Sequence, residues 1–393
     1  MSNPATSNAD LDTFRAETRA WLGENAPPFI RQPETVETAI WGGRKPVFLH
    51  DDQRLWLERM GAKGWTVPEW PKAYGGGGLS RDEAKILAQE MRRIGARRPL
   101  DSLGVWMLGP ALLKYGTEDQ KLEHLPKIAR GEIRWAQGYS EPGAGSDLAS
   151  VQTRGEDRGD HFLVNGSKIW TSYGDKCDMI FALVRTEPDA PKHLGISFLL
   201  IDMADPGVST RPIKLIAGDS PFAQTFFDDV KVPKANLVGE RGRGWDVTKY
   251  LLTHEREMIG SLPTTQLSSE TLSQHAVRVL GADGIARMGA LRADILQNET
   301  DAWTLAIAIE RAADQARAKA SSPFTGSVLK LFGTETMKRR TELAMSIDGT
   351  TAFDPHSPAA QDWLHAPANT IAGGSSEIQL NILAKRALGL PGA

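Results

Sequence analysis

The sequence predicts an α+β protein of several domains, in which helical and strand-rich blocks follow one another instead of alternating. Three observations carry this. The chain has 393 residues, too many for one ordinary hydrophobic core. Apolar positions recur at helical spacing up to about Trp135, change to short strand-like runs up to about Val238, and return to long helical periods beyond Gly244. No block repeats another. Three units are therefore expected: a helical domain over 1–135, a strand domain over 136–243 and a helical bundle over 244–393.

In the first block Phe14, Trp21 and Leu22 recur at helical spacing, as do Leu55, Leu57 and Met60. Pro27-Pro28, Pro68-Glu69-Trp70-Pro71 and Gly75-Gly76-Gly77-Gly78 separate the helices. The four glycines lack the Gly-Lys-Ser/Thr ending of a phosphate loop and read as a flexible turn. In the second block His161–Val164 and Lys168–Trp170 flank Asn165-Gly166, a strong hairpin signal. Ile180–Arg185, Gly195–Asp202 and Ala223–Val232 continue the rhythm, which fits a small barrel or sandwich. Gly242-Arg243-Gly244 lacks the third glycine and the preceding strand of a dinucleotide fingerprint. The last block closes with an amphipathic helix from Glu377 to Leu388.

Composition narrows the function. An apolar content of 40% with 24% charged residues describes a globular chain. A net charge of −3 gives no electrostatic reason to expect nucleic acid or an anionic membrane surface as a partner. The single cysteine, Cys177, cannot form an internal disulfide and fits a reducing compartment. No histidine-containing motif frames it, so it reads as a packed thiol. The polar N-terminus, Met1–Asp10, lacks a secretory apolar stretch, and Ile196–Ile201 is far too short for a membrane span. A cytoplasmic protein is expected.

The most specific feature is a pair of segments: Gln137-Gly138-Tyr139-Ser140-Glu141-Pro142-Gly143-Ala144-Gly145-Ser146-Asp147 and, some two dozen residues later, Lys168-Ile169-Trp170-Thr171-Ser172. An isoalloxazine ring needs a flat apolar partner and polar groups along its edges; Trp170 offers the first, Thr171 and Ser172 the second. Together these segments resemble the flavin-contacting stretches of the acyl-CoA dehydrogenase family, and the resemblance runs from about Phe14 to Pro391. It implies two helical domains flanking a β-barrel, FAD as cofactor, and removal of two hydrogens from an acyl-CoA thioester. It also implies that Gln137, Tyr139, Ser140, Ser146, Trp170, Thr171, Ser172, Ser375 and Glu377 meet the cofactor, with Ser146 also touching the CoA arm. An electron-transferring flavoprotein is the acceptor that the resemblance implies.

Such a reaction needs a carboxylate to take the α proton. Many family members carry it in a C-terminal Glu-Gly-Thr/Ser-Ser motif, but here the matching stretch is Ala372-Gly373-Gly374-Ser375-Ser376, with glycine at the base position. A second branch of the family places the glutamate on an earlier helix, before an arginine, where this chain has Glu255-Arg256. Helical phase agrees. Val247, Leu251, Leu252, Met258 and Ile259 share an apolar arc that includes Glu255 and excludes Glu257. The resemblance thus casts Glu255 as base and the Gly373 amide as donor to the thioester carbonyl, with Arg256 and Gly374 beside the substrate.

Two departures bear on assembly. Homotetrameric relatives carry Arg-x-x-Phe-Gly and Gln-x-x-Gly-Gly stretches that reach a neighbouring subunit's FAD. The first is not recognisable between Ser268 and Ala293, and the second survives only as Ser346-Ile347-Asp348-Gly349-Thr350. A homo-oligomer with altered contacts, or a heteromer with a related subunit, is expected. Two alternatives stand beside the dehydrogenase: a non-catalytic or half-site subunit, and another flavoenzyme on the same scaffold, such as a desulfinase or monooxygenase.

Overall fold

The computed structural model describes residues 8–32, 38–252, 270–318 and 320–391. These divide into two compact units. One runs to Ile213 and resumes at Ser220–Thr248; the other holds Lys214–Asp219 and the chain from Lys249 onward.

The first unit begins with helices α1 (Asn8–Asn25), α2 (Asp51–Ala62), α3 (Arg81–Arg93), α4 (Gly109–Tyr115) and α5 (Glu118–Ala129). Capping boxes start α2, α3 and α5, through His50 and Gln53, Ser80 and Glu83, and Thr117 and Gln120. Leu22, Ile30, Trp56, Leu57, Met60 and Leu87 form the core between them. Leu55, expected inside, faces out at 37% exposure, and Trp56 takes its place. At the edge of this core Glu90 receives Arg15, Arg19 and Arg93, which ties α1 to α3. The four glycines are close-packed, not flexible: a side chain on Gly76 would lie 2.1 Å from the Trp70 carbonyl oxygen.

Eight strands follow: β1 (Trp135–Gly138), β2 (Arg154–Asp157), β3 (His161–Ser172), β4 (Met179–Arg185), β5 (Ile196–Asp202), β6 (Val208–Ile213), β7 (Phe222–Pro233) and β8 (Leu237–Val238). They pair in the order β6-β7-β3-β2-β4-β5-β8, with β1 parallel to β4. Alternate residues of five strands, among them Ala136, Phe162, Val164, Ile180, Leu199 and Val232, converge on one core. All of β4 is buried, so its outer face is covered too. The sheet is fastened to α5 by Gln120, which donates to the Ala235 and Leu237 carbonyls, and to the loop before α2 and the lead-in to β1 by Asp178, which accepts from the Arg44 and Arg134 amides.

The predicted hairpin at Asn165-Gly166 is not formed. β3 runs straight through it and pairs along its length with β7. The special backbone at this point serves a bulge: Asp228 and Asp229 of β7 face the single Asn165, and Asn165 and Asp229 exchange hydrogen bonds of 3.0 and 2.9 Å.

Residues 244–252 form helix α6, in which Val247 and Leu251 are buried as their phase predicts. The second unit holds α7 (Leu272–Leu280), the single turn α8 (Gly284–Arg287), α9 (Leu291–Arg317), α10 (Thr325–Asp348), α11 (Pro358–Ile371) and α12 (Ser376–Ile382). Leu272, Ala276, Ile295, Leu343 and Ile347 join α7, α9 and α10. His275 pairs with Asp348 at 2.5 Å. No helix among the described residues is long and apolar enough to cross a membrane.

Candidate active site

Within the first unit the two motif segments meet through backbone and side chain. The Ile169 amide donates to the Ser140 carbonyl at 2.8 Å. Glu141 and Ala144 exchange backbone hydrogen bonds of 2.9 and 3.0 Å, which close a tight turn over Pro142-Gly143. Beyond it Gly145, Ser146 and Asp147 are exposed, and Asp147 is paired with Lys192. A side chain added at Gly143 or Gly145 would meet nothing within 4 Å, and neither has a positive φ. Neither glycine is therefore required by the chain's own packing or backbone, as expected where another molecule comes close. A cleft of about 390 Å³ opens beside this turn, lined by Pro142, Gly143, Gln152, Thr153, Gly166 and Ser167. A second cavity of about 270 Å³ lies between Arg44, His124 and Val230; neither it nor the cleft is lined by a predicted site residue, though the cleft adjoins the turn that follows Ser140.

Trp170 stands on a second bulge, where Ile169 and Trp170 together face the single Gln224. Its φ is +60°, in the left-handed region that disfavours any side chain, and the indole is 53% exposed. Phe222 supports it edge-on at 6.0 Å between centroids. A large, partly bare aromatic on strained backbone offers a flat apolar face to a planar ligand. Thr171, beside it, is fully buried and accepts from the Thr225 hydroxyl at 3.2 Å, so its side chain is occupied within the sheet. Ser172, at the strand end, is half-buried, as are Gln137 and Ser140. The Tyr139 ring is buried edge-on against Phe181 and Phe198, which leaves its backbone as the part facing the turn. Cys177 is a packed thiol, pushed up to about 12 by burial, which removes it as a nucleophile at neutral pH.

Two residues that sequence reasoning missed hold these segments together. Lys168, fully buried, donates to the Tyr139 carbonyl at 3.2 Å and to the Glu141 carboxylate at 2.7 Å. The same carboxylate accepts the Gln152 and Thr153 amides at 2.6 and 2.9 Å. Burial alone would raise the Glu141 pKa, but the Lys168 charge and these hydrogen bonds hold it below the usual carboxylate range. Complete burial pushes Lys168 down to about 8. The alternation Phe162, Val164, Lys168 already placed this lysine inward; its partner, 27 residues earlier, had no such signal.

In the second unit Gly373 and Gly374 have φ of +66° and +97°, and Ser375 caps α12 by accepting the Ile378 amide. The Gly374 carbonyl is held by the buried Lys330 at 2.8 Å and by Gln379 at 3.2 Å, and Gln379 also reaches the Gly373 carbonyl. Among the described residues neither glycine amide meets an acceptor, so both remain available to an oxygen of a ligand. Glu377 is exposed, and its own amide and the Ser375 hydroxyl keep it ionised below the usual range. Glu255 and Arg256 lie outside the described residues.

Three family models match in order: acyl-CoA dehydrogenase N-terminal domain over residues 8–132, middle domain over 136–230 and C-terminal domain over 242–388. Acyl-CoA dehydrogenase IpdE1 of Mycobacterium tuberculosis is 35% identical over 393 residues, covering 97% of this chain and 98% of that protein. Among solved structures, the Tcur3481-Tcur3483 steroid ACAD is similar with a TM-score of 0.78, 30% identity and full coverage of both chains. The ChsE4-ChsE5 complex from Mycobacterium tuberculosis matches with a TM-score of 0.74 and 29% identity, again over 100% of both chains.

Proposed function

Since the chain belongs to the acyl-CoA dehydrogenase family, as a flavoprotein and an oxidoreductase acting on acyl-CoA, we propose that it converts a bulky, ring-bearing acyl-CoA to the trans-2-enoyl-CoA, with Glu255 as the base. The observation that carries the flavin seat is Trp170: a half-exposed indole on left-handed backbone, hydrogen-bonded through its neighbour Ile169 to the open turn at Ser140. Trp170 walls one face of the ring, while Ser140, Ser172 and the amides around them meet its edge. When bound, FAD supplies the acceptor for the hydrogen that leaves the β carbon as hydride. The chain's own groups do the rest. Glu255 takes the α proton, and the Gly373 amide donates to the thioester carbonyl as negative charge grows there. Ser146, Arg256 and Gly374 hold the CoA arm and thioester in line. The ring-bearing substrate is supported by the steroid ACAD among the similar structures.

Anaerobic bleaching of the flavin by a panel of straight, branched, aromatic and steroid-derived acyl-CoAs tests the substrate class. Glu255→Gln should bind substrate yet lose about 10²–10⁴-fold in the rate of flavin reduction, since an amide cannot accept the proton. Near-normal bleaching in that variant would remove Glu255 from the mechanism.

A heteromer with a related subunit is favoured over a homotetramer by two observations. The Arg-x-x-Phe-Gly stretch is not recognisable and the Gln-x-x-Gly-Gly stretch survives only as Ser346–Thr350, and a similar solved structure is a complex of two named chains.

A further inference from the structure

We infer that the Glu141–Lys168 pair is the positioning element of the flavin seat: it sets the 140–147 turn in register with the Trp170 bulge, and its loss disturbs the cofactor before it disturbs the fold. This rests on the reading of Trp170 as the flavin wall. The geometry is specific. Lys168 lies two residues before Trp170 on β3, and its ammonium donates to the other flavin segment, at Tyr139 and Glu141. Glu141 in turn gathers the Gln152 and Thr153 amides, where the chain leaves the turn. Arg185, also buried, clamps the same stretch from β4 by donating to the Ala149 and Val151 carbonyls. The entry, exit and partner strand of the turn thus converge on one buried carboxylate and two buried cations.

Stability alone does not call for charges here. The adjoining core is apolar, and replacing a buried ion pair with well-packed hydrophobic residues of similar volume is often neutral or stabilising. What charges provide here is direction: an ammonium and a carboxylate fix donors and acceptors at definite points, where methyl groups would let the turn slide. Neither side chain is placed against substrate or cofactor. Both act through Ser140 and Trp170.

The test compares wild type, Glu141→Gln/Lys168→Met and Trp170→Ala as purified holoprotein. FAD dissociation on dilution gives Kd by recovery of free-flavin fluorescence; the visible flavin spectrum and the melting temperature of the stripped protein are read alongside. The double variant leaves one of the Gln152 and Thr153 amides without its acceptor, so it should melt below wild type yet fold, and it should bind FAD at least tenfold more weakly with a shifted flavin spectrum. Wild-type Kd and spectrum in the double variant would overturn the positioning role while leaving the flavin site intact. An unchanged flavin in Trp170→Ala would overturn the reading of the site, and this proposal with it. Should the double variant not fold, Lys168→Met alone, which removes the donor to the Tyr139 and Glu141 oxygens and leaves the Gln152 and Thr153 amides on Glu141, decides by the same Kd and spectrum. Wild-type values there overturn the proposal.

Discussion

Replacing Trp170 by alanine and, separately, by glycine tests both halves of what the structure says about this residue. The indole is 53% exposed. A fully exposed tryptophan presents up to about 250 Å², so about 130 Å² is left for a ligand to cover. At about 25 cal/mol per Å² that is about 3 kcal/mol, or about 150-fold in the Kd for FAD. Both variants should lose that much affinity. They should part company in the stability of the FAD-free chain. At an ordinary strand position glycine is less stable than alanine by about 0.5–1 kcal/mol. At a φ of +60° the alanine keeps the left-handed penalty of about 1–2 kcal/mol that glycine escapes. The order should therefore invert, with Trp170→Gly more stable than Trp170→Ala by about 0.5–1 kcal/mol. Urea unfolding of the stripped proteins measures the order, and flavin fluorescence measures the affinity. Alanine equal to or above glycine would refute the left-handed strand bulge, and an unaltered Kd in both variants would refute the flavin wall.

Acid should find Glu90. Hydrogen bonds from Arg19, against the cost of burial, and from Arg93 and Arg15 hold it down to about 2. Because the folded value lies below the unfolded one, its contribution is complete above the ordinary carboxylate pKa and fades as pH falls toward 2. With the three arginines partly exposed, the contribution is about 1–2 kcal/mol after allowance for solvent screening. Glu90→Gln should be less stable at pH 7 and show a flatter acid limb in thermal melts; an acid limb identical to wild type would discount the cluster. Native mass measurement, with flavin counted per chain, should show a particle that needs a related subunit to hold FAD fully. A homo-oligomer with one FAD per chain would exclude the heteromer and leave the dehydrogenase reaction standing.

The helix-strand-helix order was legible because it rests on period alone. β4 and β5 are continuous apolar runs, and α6 buries Val247 and Leu251 where their phase put them. β2, with the sequence Arg-Gly-Glu-Asp, and β6, which carries Pro212, hold no such pattern; they are strands because β3 and β7 offer them ladder partners. Asn165-Gly166 misled for a physical reason. The unusual backbone that suits a two-residue turn suits a bulge as well, and the opposing Asp229 decided between them. At the site, Trp170 and the glycine turn were readable as residue types. The bulge that presents the indole, and the carboxylate that a buried lysine finds 27 residues away, depend on registers that one sequence does not display.

The Gly373-Gly374 turn limits what side chain could ever be placed there. With φ of +66° at Gly373, a glutamate there would start about 1–2 kcal/mol uphill. At Gly374 a side chain would come within 2.6 Å of the Gln379 amide nitrogen, which also holds the turn's carbonyls. Lys330 and Gln379 fasten this glycine-only turn from behind. A carboxylate introduced at 373 would have to displace that fastening as well as overcome the backbone cost, so an engineer placing a base there would have to begin at 330 and 379.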